Sequence, residues 1–353
     1  MTPINGYEWP VPMPKDANLD LIRIEMLNLG AQYAWLDVLC LRQEGGKGEH
    51  LRIEEWKVDV PTIGCVYDRA LHVVCYFNGL DRALHLTSDY FDSDRCWFRR
   101  AWTLQEIVVH PIIGGETSHN IMEKEVRRRF GKQLKALREM RDYDKPFPLD
   151  KVAGLVHLFK TYRIPIYNAE QSAADMWEVL MDVMDTSKRA ELFFYYPRPG
   201  AGKKYWRPSW QQLQVMATTI NVSELPGSVG WTDDPDVDCY EGYHVESGKV
   251  QGLGEVPKEK DDAKSYRQGE LVLKDATGAS HTLKIVANHT YQIPDGLYTV
   301  IGCDRWLFND IWVVGSQRED GRFQKFSVFR SATDEKVKLR ALALENVQFC
   351  FLK

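Results

Sequence analysis

The N-terminal fold is decided by residues 94–109, which read Asp-Arg-Cys-Trp-Phe-Arg-Arg-Ala-Trp-Thr-Leu-Gln-Glu-Ile-Val-Val. The apolar spacing predicts a helix with one buried stripe, formed by Trp97, Ala101, Leu104 and Val108. At about 100° per residue, Arg99, Trp102 and Glu106 lie together on roughly the opposite side. Because this side of the helix carries a carboxylate, an indole and a guanidinium, we treat it as a candidate binding or catalytic site.

Two interpretations of that polar side are open. Glu106 either forms a surface ion pair with Arg99, beside a tryptophan that another element covers, or it belongs to a binding or catalytic site. Structural ion pairs are far commoner than catalytic ones, so the spacing by itself favours the ion pair.

Composition excludes several classes of protein. The chain has 353 residues, of which 44% are hydrophobic and 27% are charged, as is typical of globular proteins. A formal net charge of -5 argues against nonspecific binding to nucleic acid, which requires a basic surface. No apolar run approaches the about 20 residues of a membrane span, and the N-terminus does not resemble a signal peptide. We therefore expect a cytoplasmic protein that neither spans a membrane nor binds nucleic acid.

Cysteine and histidine patterns point away from metal chemistry. The seven cysteines are scattered, and neither a Cys-x-x-Cys pair nor a His-Glu-x-x-His motif occurs. This indicates reduced, buried thiols and predicts no metal site. We also expect no resident cofactor.

Helix and strand patterns alternate through the N-terminal region. The predicted elements are a helix capped by Asp16 and stopped by Gly30, a central strand over 33–41, a helix over 50–70 with a kink or break at Pro61, a buried strand over 71–77, the helix over 94–109 and a short strand near 108–113. This alternation predicts a parallel α/β sheet, in which ligands bind beyond the carboxyl ends of the strands.

Polar side chains follow or interrupt the predicted strands. Arg42 and Gln43 follow the first strand and Asn78 follows the second, so we expect them at the ligand-binding edge. Asp37 lies inside the first predicted strand, where a buried carboxylate needs hydrogen-bond donors or a shifted pKa. A role in fixing the fold and a role in chemistry both stay open for Asp37.

The sequence after residue 118 predicts two further regions, one helical and one rich in β-strands. Residues 119–224 predict a helical extension, with a basic helix over 119–142 and amphipathic helices over 150–162 and 169–187. From residue 225 onward, short alternating runs separated by Gly, Asp and Pro predict a mainly antiparallel β module. These runs lie at 269–274, 281–286, 296–302, 311–314, 323–329 and 347–352.

Three N-terminal segments together resemble the fungal heterokaryon-incompatibility (HET) domain. They are residues 33–43, 60–70 and 100–106. The last of them, Arg-Ala-Trp-Thr-Leu-Gln-Glu, is similar to the family's Arg-Gly-Trp-Thr-Leu-Gln-Glu signature, with Ala101 in place of glycine. The later segment Trp206-Arg-Pro-Ser-Trp210 is similar to one that often follows the domain.

The resemblance also sets the expected domain boundaries. The family usually opens with a strand that carries a Ser-x-x-Trp-Gly-like motif, and nothing similar precedes Tyr7. We interpret residues 1–118 as an HET-like α/β domain that is N-terminally shortened or divergent, 119–224 as a helical extension and 225–353 as a β-rich module. Because HET domains are similar to TIR domains, the resemblance implies a TIR-like, flavodoxin-like parallel sheet.

Two functions are implied by the resemblance. One is self/non-self recognition that triggers programmed cell death in fungi, through protein partners or self-association. The other is TIR-like cleavage of NAD at the nicotinamide–ribose bond, with NAD as substrate and not as cofactor. TIR enzymes carry an essential glutamate in a Trp-Cys-x-x-Glu-like helix, and Trp102-Thr-Leu-Gln-Glu106 has a comparable spacing.

In the NAD hypothesis Glu106 is the catalytic carboxylate. Nicotinamide leaves as a neutral molecule, so one carboxylate that stabilises the oxocarbenium-like transition state suffices. Trp102 or a nearby tyrosine would stack on a ring of the dinucleotide, and Arg42 or Arg99 would meet its pyrophosphate. Gln43 and Asp37 complete the predicted substrate-binding set. A third hypothesis is an inactive fragment whose β module binds another protein.

Overall fold

The computed structural model of the chain divides into two compact units, Met1–Met184 and Asp185–Lys353. It describes residues 2–4, 7–15, 17–80, 82, 102–106, 112–115, 148–157, 159, 161–214, 227–254, 267–275, 277–303, 310–332, 335 and 347–352. The chain is a mixed α/β protein, with a small parallel sheet in the first unit and a larger, mainly antiparallel sheet in the second. The three-part division expected from the sequence stays a prediction.

The N-terminal unit combines helices with two small sheets. Its helices are Leu19–Asn28 (α1), Asp37–Cys40 (α2), Arg52–Arg69 (α3), Pro148–Ala153 (α4) and Ala173–Val183 (α5). Thr2–Ile4 (β1) pairs antiparallel with Tyr7–Trp9 (β2), and Val74–Cys75 (β3) pairs parallel with Ile112–Ile113 (β4). Of the described helices, none has both the length and the apolar character needed to cross a membrane.

Helix α1 begins and ends at local signals in its sequence. The Asn18 side chain accepts hydrogen bonds from the backbone N–H groups of Asp20 and Leu21, so the N-cap is Asn18. The predicted cap, Asp16, lies outside the described residues. Gly30 follows the helix at a φ of 79°, a conformation that glycine adopts without strain, and this confirms the predicted end.

The predicted central strand over 33–41 is wrong. Residues 33–36 form no strand or helix, and Asp37–Cys40 form α2. Tyr33 is 94% exposed, which a residue of a central strand is not. A short apolar run fits a buried strand or a helical segment equally well by periodicity, so the pattern did not decide between them.

The parallel pairing that does form joins β3 to β4. Strand β3 is shorter than the predicted 71–77, although Val73 and Phe77 on either side of it are buried. Strand β4 confirms the expected strand before Gly114. A Cβ at Gly114 would lie 2.6 Å from the Tyr76 ring, so any other residue would require that ring to shift.

The later helices of this unit are shorter than predicted. Helix α3 continues through Pro61 without a break. Helix α4 ends at Ala153 instead of extending to residue 162. Helix α5 begins after Ser172, whose hydroxyl accepts the Asp175 N–H, and its buried side chains are Met176, Trp177, Leu180 and Met181. The predicted basic helix over 119–142 lies outside the described residues.

In the C-terminal unit two helices precede the strands. The helices are Thr186–Tyr195 (α6) and Trp210–Gln214 (α7). The strands are Val229–Trp231 (β5), Asp238–Gln251 (β6), Arg267–Lys274 (β7), Ser280–Ala287 (β8), Gly296–Gly302 (β9), Ile311–Gln317 (β10), Phe323–Ser331 (β11) and Val347–Leu352 (β12). Strands β7 to β12 confirm the six runs predicted from the sequence, whereas β5 and β6 were not predicted.

Six of these strands pair in a closed ring. Its order is β6, β9, β10, β11, β8 and β7, with β7 returning to β6, and every neighbouring pair is antiparallel. Strands β5 and β12 pair with the first part of β6. One apolar core contains Val250, Leu253, Leu271, Leu273, Leu283, Ile285, Ala287, Ile293, Val300, Trp312, Val314 and Phe329.

A buried ionic cluster lies where β6 begins. Asp238, which is fully buried, forms ion pairs with Arg189 of α6 and with Lys204, whose Nζ lies 2.9 Å from a carboxylate oxygen. The Trp206 indole donates to the same carboxylate at 2.9 Å. The Arg189 guanidinium also lies over the rings of Trp206 and Trp231. Removing the carboxylate would leave buried cations without this counter-charge.

Candidate functional site

The described part of the signature, Trp102–Glu106, begins as a short 3₁₀ helix over Trp102–Leu104 and continues as a turn. The N–H of Gln105 donates to the Trp102 carbonyl at 3.0 Å, and that of Glu106 donates to the Thr103 carbonyl at 3.1 Å. A 3₁₀ turn has about three residues per turn, so Trp102 and Glu106 do not stack as they would one α-helical turn apart. The rest of the predicted helix, including Arg99, lies outside the described residues.

Gln105 ties two helices together from inside the unit. Its side chain is fully buried, and its carbonyl oxygen accepts the N–H of Gly64 in α3 at 3.0 Å. Its amide nitrogen donates to the carbonyl of Ala153 in α4 at 2.8 Å. Both halves of the amide are therefore used, and Gln105 serves as a structural bridge.

Close packing of α3 supports this bridge. A Cβ at Gly64 would lie 2.6 Å from the Cβ of His157, so only glycine allows this approach. The neighbouring Thr103 is also buried. The signature segment thus lies against α3 and α4 through its own polar residues, and those residues hold the helices in place.

Trp102 belongs to a three-residue cluster with Asp150 and Tyr167. The Tyr167 hydroxyl donates to the Asp150 carboxylate at 2.8 Å, and the Trp102 side chain donates to it as well. The rings of Trp102 and Tyr167 lie 5.8 Å apart between centroids. Burial raises the pKa of Asp150, and the hydrogen bonds from Tyr167 and Trp102 oppose that rise. The indole is thereby engaged with a carboxylate other than Glu106.

Glu106 lies near the carboxyl end of β3. Burial, followed by the nearby negative charge of Glu106, raises the pKa of the Cys75 thiol to about 12. Cys75 is the last residue of β3. The half-buried Glu106 is therefore close enough to the last residue of β3 for its charge to act on the Cys75 thiol.

Arg42 is buried in contacts of its own. Its guanidinium forms a two-pronged ion pair with Glu55 of α3, at 2.7 and 2.9 Å, and donates to the Lys47 carbonyl at 2.9 Å. It also lies over the Trp9 ring. The hydrogen bond from Arg42 holds the pKa of Glu55 below its ordinary value. These contacts fix the 42–48 loop against α3, which is a structural role.

Gln43 and Asp37 likewise make local contacts. The Gln43 side chain donates to the Leu41 carbonyl at 2.8 Å, and an Asp37 carboxylate oxygen accepts the Val38 N–H at 2.7 Å. Asp37 lies in the first turn of α2 and not inside a strand, where the sequence placed it. Arg42 and Gln105 contact different parts of α3. Arg42 binds Glu55 and Gln105 binds Gly64, and these two positions are nine residues, or about 13 Å, apart along the helix.

The structure thus gives the residues of the predicted site separate sets of contacts. It places Trp102 with Asp150 and Tyr167, Glu106 beside Cys75, and Arg42 with Glu55. Sequence reasoning missed Asp150 and Tyr167, although an acidic residue in the first turn of a predicted helix was a visible signal. Among the described residues, no group of three or more His, Cys, Asp or Glu side chains is arranged to hold a metal ion.

Comparison of the chain with protein-family models, with curated proteins and with solved structures finds no match. The HET and TIR resemblances therefore rest on the sequence motifs alone.

Proposed function

We propose that the chain is an HET-type self/non-self recognition and cell-death signalling module that acts through contacts between proteins. The observation that supports this most is the use of the signature segment. Gln105 bridges α3 and α4, and Trp102 binds Asp150, so the contacts of these side chains support a role in maintaining the fold. A module of this kind signals through its surface.

Helix α1 supplies a surface suited to such contacts. Leu21, Ile24 and Leu27 are all more than half exposed, and α1 buries none of its residues. Helix α5, by contrast, buries four large apolar side chains. An exposed apolar helix face of this kind is typical of a site that another protein covers. The matching partner is a protein with an apolar face, and burial of each leucine contributes about 1.5–3 kcal/mol.

The test is expression in a filamentous fungus with cell death as the readout. We expect the unchanged chain to cause death and the double variant Leu21→Gln, Leu27→Gln to cause at least about tenfold less, because each substitution removes apolar contact area. The matched control is Leu297→Gln in β9, which changes a residue of similar exposure in the other unit. Equal death with the α1 variant and the control would contradict the proposal.

A second candidate function is NAD hydrolysis with Glu106 as the catalytic carboxylate. It is favoured by the nearness of Glu106 to Cys75, the last residue of β3, whose thiol pKa the Glu106 charge raises. There the carboxylate would stabilise the oxocarbenium-like ribose while water replaces nicotinamide at the anomeric carbon. The Arg42 guanidinium binds Glu55 and the Lys47 carbonyl, so contact with the pyrophosphate would require Arg42 to exchange these partners.

Nicotinamide release by the purified chain tests this candidate. If Glu106 is catalytic, the unchanged chain releases nicotinamide from NAD and Glu106→Gln does not, since the amide carries no charge. Glu54→Gln is the matched control, because Glu54 is an exposed carboxylate whose ion pair is with Lys57 on the same helix, outside the predicted substrate-binding set. Absence of release from the unchanged chain at every protein concentration removes the candidate.

A further inference from the structure

A buried group of basic side chains joins the loop between β8 and β9 to two strands of the C-terminal unit. Arg267 begins β7, His289 lies in the loop, and Lys325 lies in β11. All three are buried, with His289 only 5% exposed. Burying several basic groups together is costly unless each is hydrogen-bonded or neutral, so their partners decide how the group behaves.

Arg267 clasps the loop through backbone carbonyls. Its guanidinium donates to the carbonyl oxygens of Leu253, His289 and Tyr291. The N–H of Ile293 also donates to the Leu253 carbonyl at 3.2 Å. Because Leu253 and Ile293 both belong to the apolar core of the ring, the clasp holds the loop where it closes that core.

The surroundings of the His289 ring favour its neutral form, although backbone hydrogen bonds to Val328 and Tyr291 act in the opposite direction. Nε2 lies 2.7 Å from the Val328 carbonyl oxygen, so Nε2 carries the proton and donates it. Nδ1 lies 3.4 Å from a nitrogen of the Arg267 guanidinium, which is a donor, so Nδ1 must be the acceptor. Protonation of Nδ1 would set an N–H against another N–H.

The charged groups that face His289 add to this conflict. Arg267 approaches from β7 and Lys325 from β11, and the positive charge of each lowers the pKa of His289. From its own loop Tyr291 faces the ring at 5.9 Å between centroids, with the Arg198 guanidinium over the tyrosine ring. Asp295, the carboxylate of the loop, accepts the Gly252 N–H. An imidazolium would therefore sit among cations.

We propose that His289 and Arg267 form an acid-sensitive latch, which releases the loop over residues 288–295 when His289 takes up a proton. The released loop withdraws Ile293 from the core and uncovers the end of the ring. The Arg267 clasp is lost with it, because two of the carbonyl groups that Arg267 binds, those of His289 and Tyr291, belong to the released loop.

The direction of the pH dependence follows from burial. Burial lowers the pKa of His289 from 6.5 to about 4, because burial disfavours the charged ring. The closed state is unaffected above the unfolded pKa, loses stability as the pH falls below 6.5, and loses no more below about 4. The latch is closed at neutral pH and opens in acid.

Amide hydrogen exchange of the whole chain at pH 7 and pH 4.5, corrected for intrinsic rates, tests the latch. We expect the opening constant for loop 288–295 to rise by roughly 50-fold at the lower pH, given the pKa shift of His289. His289→Gln should show no such rise, since its amide donates to the Val328 carbonyl and does not titrate. His281→Gln, which alters the half-exposed partner of Asp275, is the matched control and should behave like the unchanged chain.

Two results would overturn the latch. The first is a rise in the opening constant of the loop at pH 4.5 that persists in His289→Gln. The second is equal protection of the loop from exchange at both pH values in the unchanged chain. If the glutamine variant fails to fold, an NMR titration of His289 in the unchanged chain decides. Titration between pH 4 and 5 together with loop opening supports the latch, and titration near 6.5 contradicts it.

Discussion

In the N-terminal unit Gln105 and Asp150 join short elements through single side chains, whereas in the C-terminal unit a closed ring of strands encloses one continuous apolar core. The first unit also exposes apolar residues along α1. The second places its charges inside, with Asp238 between Arg189 and Lys204. The first unit thus has an apolar helix face in solvent, whereas the second combines a continuous apolar core with a buried ionic cluster.

The largest expected effect is in the C-terminal unit. Asp238→Ala removes the carboxylate that Arg189 and Lys204 share, and the cost of leaving buried cations without it is about 3–5 kcal/mol. Hydrogen exchange of the β6 and β12 amides measures the loss as a lower free energy of opening. Asp234→Ala is the control, because its ion pair with Arg322 is exposed and contributes less than about 1 kcal/mol. Equal effects of the two substitutions would contradict the assignment of Asp238 as a buried counter-ion.

The next effect is expected at the bridge in the N-terminal unit. Gln105→Ala leaves the N–H of Gly64 and the carbonyl of Ala153 buried without their partner, which costs about 2–4 kcal/mol in total. Exchange of the α3 and α4 amides reports this loss, and the C-terminal strands should not change. Glu106→Ala, in the same turn, is the control. If it lowers the free energy of opening of the α3 and α4 amides more than Gln105→Ala does, Gln105 is not the bridge between these helices.

The smallest effect concerns the buried carboxylate of Asp150. Its pKa is raised by burial, so the protonated form is favoured in the folded state and stability falls as the pH rises through that pKa. Asp150→Asn keeps an oxygen that accepts from Tyr167 but does not titrate. We expect the variant to differ by less than about 1.5 kcal/mol, and to gain relative to the unchanged chain between pH 3.5 and 7.

Urea denaturation of both proteins at the two pH values measures that gain. Asp20→Asn on the exposed side of α1 is the control, and its effect should be small and equal at both pH values. If Asp150→Asn instead loses stability relative to the unchanged chain as the pH rises, the sign is reversed and the account of this cluster is refuted.

The two units also differ in how far their folds could be predicted. Strands β7 to β12 follow alternating runs bounded by Gly, Asp and Pro, and such runs specify half-buried strands locally. Strand β6 was missed because Gly242 and Gly248 interrupt its alternation, although both are needed for close approach to neighbouring residues. Closure of the ring depends on pairings between distant strands, which no local pattern contains.

In the N-terminal unit the local pattern was less informative. Residues 33–41 are apolar in the manner of a buried strand, yet Asp37–Cys40 are helical and Tyr33 is exposed. The boundaries at Gly30 and near β4 were predictable because each depends on adjacent residues. The length of α4 was not, since it ends where the chain turns at residues 154–157.

The candidate site was predictable in its residues but not in its partners. Trp102 and Glu106 were found from spacing, but their assumed shared face depends on α-helical geometry that Trp102–Leu104 does not adopt. Arg42 was placed near a substrate because it followed a predicted strand. Its actual partner, Glu55, lies 13 residues away in sequence, and no spacing rule connects the two.

The most direct test of the proposed function is cell death caused by Glu106→Gln in the same fungal host. If the chain signals through protein contacts, this variant should kill as effectively as the unchanged chain, because Glu106 is not part of the α1 surface. Loss of killing by Glu106→Gln, with the Gln105 bridge and hydrogen exchange of α3 intact, would contradict signalling by contact and favour NAD cleavage.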